Sequence, residues 1–411
     1  MRACWTCTML FCVSAASAGD NWPQFRGPSA DGHSDSTGLP LTWSDTENVR
    51  WKTAIDGRGW SSPVVWGDQI WLTTATEDGQ DMYAVCVAKD TGRIVHQLRV
   101  FHNESPAFCH PLNSYASPTP AVESGRVYVH FGSYGTACLR TSDGQVLWTR
   151  RDLPCDHFRG PGSSPILFED KLIVHYDGYD YQYVIAFDKA TGKTAWKVDR
   201  NHDFGTDDGD LKKAFSTPMV VTVAGQRQLI SPGSRATFAY DPHTGREFWR
   251  VRFRGFSSTA MPLFGHGLFF LNTGFSRGEL FAVRAGGSGD ITDTHVQWST
   301  NKGVPSKPSE LLVDDCLYMV DDGGTASCLE AKTGATVWSE RIRGQYSASP
   351  LYADGRIYFF SHDGRCTVIR PGRTYELLAT NRLPDGFMAS PAVTGKALIL
   401  RTKTHLYRIE R

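Results

Sequence analysis

One pattern recurs along the chain and constrains its fold more than any other feature: a strand, a tight glycine turn and a second strand ending on tryptophan. The fullest copy spans residues 186–196, and further copies span 239–249, 328–338 and 138–148. Glycine supplies the positive φ that a hairpin turn requires, and Thr or Asp before it can hydrogen-bond the local backbone. Repeats at a spacing of roughly 40 to 50 residues with this turn chemistry predict the blades of a β-propeller.

A second pattern marks where each blade begins. It is a proline, usually after Ser or Thr, followed by apolar residues, a polar turn and another apolar strand. Proline is tolerated at the first residue of a strand because its missing N–H falls outside the ladder. The predicted openings are Ser62-Pro63, Thr119-Pro120, Ser164-Pro165, Thr217-Pro218, Met261-Pro262, Lys307-Pro308, Ser349-Pro350 and Ser390-Pro391.

The last of these eight segments is too short to complete its blade. After Pro391 the sequence supports three strands and then ends, whereas residues 48–55 read as a lone strand far upstream. A ring closed by its own N-terminal strand leaves no open edge. The sequence therefore predicts an all-β fold, an eight-bladed β-propeller of four-stranded antiparallel blades closed by the N-terminal strand.

The segments before the propeller have a different composition. Residues 1–18 combine Arg2, a short apolar run and an Ala-Ser-Ala sequence, which is the pattern of a cleaved signal peptide. Residues 19–47 are rich in Gly and Pro and are expected to form an extended arm without regular structure, anchored by Trp22 and Phe25. The propeller is expected over residues 48–411, in a periplasmic or secreted protein.

Charge and composition exclude some classes of partner. The chain has 43 basic and 43 acidic residues, so no net field attracts nucleic acid or an anionic membrane. No stretch after the N-terminal segment is long and apolar enough to span a bilayer. We expect a monomer whose partner is an envelope protein or a polymer.

Several cysteines and tryptophans receive structural roles. Cys86, Cys138, Cys328 and Cys366 precede a turn glycine and are expected to act as small buried hydrophobes. Cys109 and Cys155 lie in loops before successive blades, where an oxidising compartment would permit a disulfide. The tryptophans that follow the turns are expected to wedge between blades. His96 and Glu376 are predicted to replace tryptophan in blades one and seven.

The repeats resemble the tryptophan-docking motifs of the quinoprotein dehydrogenase propellers, and residues 186–196 match every defined position of that motif. The whole chain is also similar to shorter PQQ-like propellers, which include outer-membrane assembly factors of the BamB type. The opening at residues 22–28, Trp-Pro-Gln-Phe-Arg-Gly-Pro, resembles that of secreted planctomycete-type members. The resemblance implies an exported propeller. It does not extend to the Cys-Cys pair or the calcium-binding loops of the alcohol-oxidising enzymes, which this sequence lacks.

Candidate ligand residues come from the loops before the first strand of each blade and from the loops between its second and third strands. These loops are expected to share one face of the ring, at the mouth of the central channel. Mixed Arg, His, Asp and Tyr side chains there could hold a polar or anionic ligand. The candidates are His157, Arg159, Tyr179, Asp180, Tyr115, Lys213, Tyr346, Asp322 and His362, with Asp177 and Arg277 nearby.

Three functions remain open at this stage. The first is a non-catalytic extracytoplasmic scaffold that binds a protein or polymer through its loop face, with no cofactor. The alternative is an oxidoreductase using pyrroloquinoline quinone (PQQ) with calcium. A glycan hydrolase or lyase would need two carboxylates at the channel mouth, for which Asp177 and Asp322 are the candidate pair. The acidic residues of 203–210 are expected to form a solvated loop.

Overall fold

A computed structural model of the chain describes residues 20–275 and 278–411. The predicted signal peptide and Arg277 lie outside the described residues. Within the described ranges, helix is limited to the single turns Gly209–Leu211 and Thr292–His295, and the remaining regular structure is β-strand. No helix in these ranges is long and apolar enough to cross a membrane.

The strands form eight blades of four antiparallel strands, seven of them each from one repeat, and a short parallel strand extends two of the sheets. Blade one comprises Val64–Trp66, Gln69–Ala75, Asp81–Ala88 and Ile94–His102, and blade two comprises Ala121–Glu123, Arg126–His130, Thr136–Arg140 and Val146–Arg150. Blade three comprises Ile166–Phe168, Lys171–Asp177, Gln182–Asp188 and Thr194–Asp199. Blade four comprises Met219–Val223, Gln226–Pro232, Ala236–Tyr240 and Glu247–Arg252. Blade five comprises Leu263–Gly265, Leu268–Asn272, Leu280–Arg284 and Val296–Thr300, and blade six comprises Leu311–Val313, Cys316–Val320, Thr325–Glu330 and Thr336–Arg341. Blade seven comprises Leu351–Ala353, Arg356–Phe360, Arg365–Arg370 and Glu376–Arg382.

The eighth blade joins the two ends of the propeller. Its strands Ala392–Thr394, Ala397–Arg401 and His405–Ile409 are completed by Val49–Ala54, which pairs antiparallel with the last of them. The predicted eight-bladed propeller and its closure by the N-terminal strand are therefore confirmed. The core lies between blades; one cluster, for example, packs Tyr128 and Cys138 of blade two against Leu172 and Ile185 of blade three.

The tryptophans join neighbouring blades, as predicted. The Trp196 ring of blade three covers Gly245 in the turn of blade four, and its indole N–H donates to the Pro242 carbonyl at 3.0 Å. Four other indoles donate in the same way, at 2.8–3.1 Å, to a backbone carbonyl in the turn of the next blade. They are those of Trp51, Trp148, Trp298 and Trp338. A β-carbon at the turn glycine would collide with the ring, which explains why the turn uses glycine.

Blade four departs from this arrangement. The indole N–H of Trp249 donates instead to Gln228 within its own blade, at 3.0 Å. The longer turn of blade five lies against this edge, because Gly289–Asp290 pairs in parallel with residues 249–250. Residues 285–294, which lengthen the turn of blade five, thus take the place of the usual inter-blade contact.

In blade seven, the residue that takes the position of the tryptophan differs from the predicted one. Its turn is longer, so Val368 pairs with Ala379 at the positions that Ala186 and Trp196 occupy in blade three. Ala379, and not Glu376, therefore replaces the tryptophan. Cys366 is fully buried but lies outside the expected small-residue position.

The disulfide that an oxidising compartment would permit between Cys109 and Cys155 is not formed in this structure, where both thiols are free. The Cys109 thiol packs against Gly160, and the Cys155 thiol lies against Gly178 and close to His157. The buried-hydrophobe role of Cys86, Cys138 and Cys328 is confirmed, since all three are fully buried.

The N-terminal arm, residues 20–47, crosses one end of the ring. Hydrogen bonds join Trp22 to Val65, Pro23 to Val122, Gly32 to Tyr352, and Asp20 to Thr394. These partners belong to the innermost strands of blades one, two, seven and eight, while Ala30 packs against blades four and five. The arm therefore closes this end of the channel. It is not wholly irregular, since His33–Ser34 forms a short parallel strand on blade seven.

Candidate functional site

The open end of the channel holds a cavity of about 580 Å³, here called the mouth cavity. Its walls are formed by residues that immediately precede the innermost strands, and Phe25 of the N-terminal arm lies at its base. The aromatic lining residues are Phe25, Trp60, Phe215, Phe256 and Phe275. The cavity is thus a cup, open to solvent on the loop face and closed below by the arm.

A ring of serine and threonine hydroxyls surrounds the cavity. The backbone N–H of Ser62 donates to the Thr119 hydroxyl at 2.9 Å, and the Thr119 N–H donates to the Ser164 hydroxyl at 2.9 Å. The remaining links of this hydroxyl ring run from Ser164 to Thr217, Met261 to Ser309, Ser309 to Ser349, Ser349 to Ser390, and Ser390 to Ser62. Seven of the eight pairs of neighbouring blades are therefore bonded at the channel wall. The pattern is interrupted at blade five, where Met261 has no hydroxyl.

The hydroxyl ring corrects the predicted opening of blade six. Ser309 makes the ring contacts, so Ser309-Glu310 occupies the position predicted for Lys307-Pro308. Glu310 is fully buried and accepts a hydrogen bond from Asn272 at 2.8 Å. The buried Arg26 of the arm donates to the Glu310 carbonyl oxygen at 2.6 Å. Burial raises the pKa of Glu310 to about 7 and lowers that of Arg26 to about 10.

The charged groups at the rim are already paired. Arg159 makes two hydrogen bonds to Asp210, both at 2.8 Å, and Lys213 approaches the same carboxylate at 2.5 Å. Hydrogen bonds from Arg159 and Lys213 hold the pKa of Asp210 well below its ordinary value. On the opposite side, Lys307 pairs with Asp322 at 3.2 Å. Asp210 is therefore a rim residue, although we expected the loop around it to be merely solvated.

The rim also carries one neutral imidazole, His110. Burial and the neighbouring cations Arg159 and Lys213 lower the pKa of His110, so the ring is uncharged at neutral pH. Each cation among the described lining residues, Arg159 and Lys307, therefore has a carboxylate partner, although Arg159 shares Asp210 with the buried Lys213.

Beside the mouth, exposed aromatic side chains form a second feature, the aromatic patch of Phe108, Phe158 and Tyr179. Their exposed fractions are 56%, 37% and 41%. The Phe158 ring contacts Phe108 at 6.1 Å and Tyr179 at 5.5 Å between centroids. Contiguous exposed apolar surface of this kind is typical of interaction sites.

Two predicted residues, His157 and Asp180, lie beneath the aromatic patch in a smaller cavity of about 360 Å³. His157 is buried and stacks on Tyr176 at 6.2 Å between centroids, and burial lowers its pKa to about 4. Asp180 accepts the N–H groups of Asp156 and Tyr181 and so fixes the loop. Because Asp156 precedes the first strand of blade three and Asp180 lies between its second and third strands, the two loop classes do share one face.

The other predicted residues are less accessible. The Tyr346 side chain is buried, with its hydroxyl donating to the Arg343 carbonyl, and Lys213 is buried beneath Phe158 and Phe215. Their side chains support loops. Tyr115 lies outside the mouth cavity, where its hydroxyl donates to the Ala107 carbonyl at 2.8 Å.

His362 lies near the blade-seven side of the mouth cavity. It hydrogen-bonds the Ser347 hydroxyl at 2.8 Å, and burial lowers its pKa to about 4. Asp322 lies on this same side through its pair with Lys307. The structure therefore brings Arg159, Lys213 and Tyr179 together on one side of the mouth and Asp322 and His362 on the other.

Asp177 cannot act with Asp322 as a catalytic pair. It is 3% exposed, and Arg200 makes two hydrogen bonds to its carboxylate, at 2.5 and 2.8 Å. His175 and Ser231 are hydrogen-bonded to each other nearby, but both are equally buried. This network joins blades three and four and offers no surface to a substrate.

Comparison with known proteins places the chain in a family. It matches the family model described as the outer membrane protein assembly factor BamB over residues 36–178 and 180–411. The chain belongs to this family. No curated protein matches it at a significant level.

Solved structures show the same propeller architecture. BamB from Moraxella catarrhalis superposes with a TM-score of 0.61 at 12% identity, covering 88% of this chain and 99% of that one. The quinohemoprotein alcohol dehydrogenase from Comamonas testosteroni gives 0.64 at 13%, covering 96% and 81%. A europium-containing methanol dehydrogenase gives 0.57 at 13%, covering 93% and 89%. At these identities the likeness of this BamB-family chain shows the fold alone.

Proposed function

We propose that this BamB-family propeller is a non-catalytic extracytoplasmic scaffold that binds an envelope protein or polymer through its loop face. The observation that carries the proposal is the aromatic patch of Phe108, Phe158 and Tyr179, exposed on adjoining loops of two blades. Burying such side chains supplies much of the binding energy of interfaces. The description of the family as an assembly factor supports a binding role outside the cytoplasm.

The chemistry of the mouth cavity favours binding over catalysis. Among its described lining residues Asp210 is the one carboxylate, and Arg159 and Lys213 keep it ionised. Glycoside hydrolysis ordinarily requires a second carboxyl group that can deliver a proton. The geometry therefore supports a site that holds a ligand without cleaving it.

The same residues fit PQQ with calcium poorly. Two cations line the mouth cavity, Arg159 and Lys307, and both are paired with carboxylates, whereas this cofactor carries three carboxylates of its own. In the described part of the chain, no group of three His, Cys, Asp or Glu side chains could hold a metal ion. The similarity to quinoprotein structures keeps the dehydrogenase as the alternative, tested by titration with PQQ and calcium.

A capture experiment tests the scaffold. The purified mature protein would be immobilised and exposed to envelope extract from its own cell, and each retained component would be purified and rebound. Tyr179→Ala combined with Phe108→Ala is expected to lower the affinity of the true partner at least tenfold, since an aromatic anchor contributes about 2 kcal/mol or more.

The matched control is Leu377→Ala. Leu377 is 52% exposed on the outer strand of blade seven, away from the loop face. It should leave the affinity unchanged. Equal binding by the wild type, the double variant and the control would overturn the proposed interface.

A further inference from the structure

We propose that the mouth cavity binds the terminal sugar residue of a neutral glycan. The inference rests on the proposed function, in which the scaffold's ligand is a protein or a polymer, and it assigns a ligand class to a site next to the aromatic patch. It is drawn from the shape, the hydrogen-bonding groups and the charge of the cavity.

The shape of the cavity requires a chain end. The N-terminal arm closes the far end of the channel through Trp22, Pro23 and Gly32, and Phe25 lies at the base of the cavity. A polymer therefore cannot pass through the ring and can enter only by its end. A volume of about 580 Å³ lies within the range of small-molecule sites and suffices for one or two sugar rings.

The hydrogen-bonding groups match a polyhydroxylated ligand. Each ring hydroxyl that lines the cavity accepts a backbone N–H and retains its own O–H, as in Ser62, Thr119 and Ser349. Because a hydroxyl can both donate and accept, it can serve as donor or as acceptor of a hydrogen bond with a sugar hydroxyl. Five further Ser and Thr residues line the cavity outside the ring, among them Thr259 and Ser347.

The aromatic walls match the apolar faces of a sugar ring. Phe256 and Phe275 face each other edge-on at 6.0 Å between centroids, and Trp60 lies on another side of the cavity with the Arg58 guanidinium stacked on it. Flat aromatic faces beside hydroxyls suit the C–H surfaces of a pyranose, which are removed from water by stacking.

The pairing of the charged groups at the cavity favours a neutral glycan. The lining cations Arg159 and Lys307 are already engaged by Asp210 and Asp322, and the lowered pKa of His110 favours its uncharged ring at neutral pH. An anionic sugar would have to break one of these pairs or lie beside a carboxylate. A neutral sugar can instead accept hydrogen bonds from the rim while the pairs remain.

The test is calorimetric titration of the mature protein with maltotetraose, cellotetraose and tetra-N-acetylchitotetraose. At least one should bind at millimolar concentration or below. Phe256→Ala should weaken that binding about tenfold through lost stacking. Phe256→Tyr, which keeps the ring, should stay within about threefold of the wild type. Thermal unfolding of each variant reports whether it is folded.

The controls separate this proposal from the scaffold itself. Leu377→Ala, on the outer strand of blade seven, lies outside the cavity and should leave oligosaccharide binding unchanged. If no oligosaccharide binds at 10 mM (roughly the limit of useful affinity) while the envelope partner is still captured, the glycan assignment fails and the scaffold stands. If PQQ binds in the cavity and no oligosaccharide does, the glycan assignment is overturned in favour of an anionic ligand.

Discussion

The indole of Trp51 lies over Gly92, and its N–H donates to the Lys89 carbonyl at 2.8 Å. Trp51 belongs to the N-terminal strand that completes blade eight, while Gly92 lies in the turn of blade one. One side chain therefore fastens the closing strand to the first blade. The ring is held at its junction by the same contact that joins four other pairs of blades.

Replacing Gly92 with alanine should destabilise this junction. The residue has φ +71°, and a β-carbon would lie 2.7 Å from the Trp51 ring. Gly125→Ala is the control, because that glycine has φ +78° with nothing within 4 Å of the added atom. Both variants incur a backbone cost of about 1–2 kcal/mol, but Gly92→Ala adds a clash of about 1–3 kcal/mol. Urea unfolding should show the difference, and equal losses would refute the docking role.

The buried Glu310 should make stability depend on pH. Its folded pKa of about 7 exceeds the ordinary 4.5, so the folded state holds a proton that the unfolded chain has released. The protonated Glu310 therefore contributes roughly 3 kcal/mol to the free energy of unfolding below about pH 4.5, and this contribution is lost as the pH rises to about 7. Arg26 stays charged over this window, because its pKa is about 10.

Glu310→Gln should remove that slope. Burial lowers the pKa of His157 and His362 to about 4, and these groups give stability that rises with pH over an overlapping range. The quantity to measure is therefore the difference in unfolding free energy between wild type and Glu310→Gln at pH 4.5 and pH 7.5. A difference that is the same at both pH values would show that Glu310 does not titrate in this window.

The parts of the fold that the sequence predicted are those that repeat. Turn glycines such as Gly245 and tryptophans such as Trp196 contact each other between neighbouring blades in one recurring arrangement. Their regular spacing in the sequence therefore predicts the blades. The closing strand followed from counting strands. Where a blade departs from the pattern, as at Glu310 in the proline position, a search for proline selected Lys307-Pro308 instead of the true opening.

The candidate site was less predictable because it lies in loops. Arg159 was identified from its type, but its pairing with Asp210 depends on two loops of different length whose conformations do not repeat. The Ser and Thr residues before proline were visible in the sequence. Their role as acceptors, such as Thr119 for the Ser62 N–H, requires the spacing between adjacent blades, which a one-dimensional pattern does not contain.

The buried pair of Asp177 and Arg200 should matter for stability. Asp177→Asn leaves the Arg200 charge buried without its partner, which should cost about 3–5 kcal/mol of unfolding free energy. Asp177→Leu with Arg200→Met removes both charges and should recover most of that loss. Asp170→Asn is the control: it breaks an exposed pair with Lys171 and should cost less than about 1 kcal/mol. A small effect of Asp177→Asn would contradict this structural role.

The hydroxyl ring can be tested with two threonines that both line the mouth cavity. Thr119→Val keeps the shape but removes the acceptor of the buried Ser62 N–H, so unfolding free energy should fall by about 1–3 kcal/mol. Thr259→Val removes a hydroxyl that only donates to the Ser257 carbonyl, and its cost should stay below about 1 kcal/mol. Hydrogen exchange of the Ser62 amide should accelerate in Thr119→Val alone, because that N–H loses its acceptor. Equal exchange in both variants would mean that the ring hydroxyls do not hold the blades together.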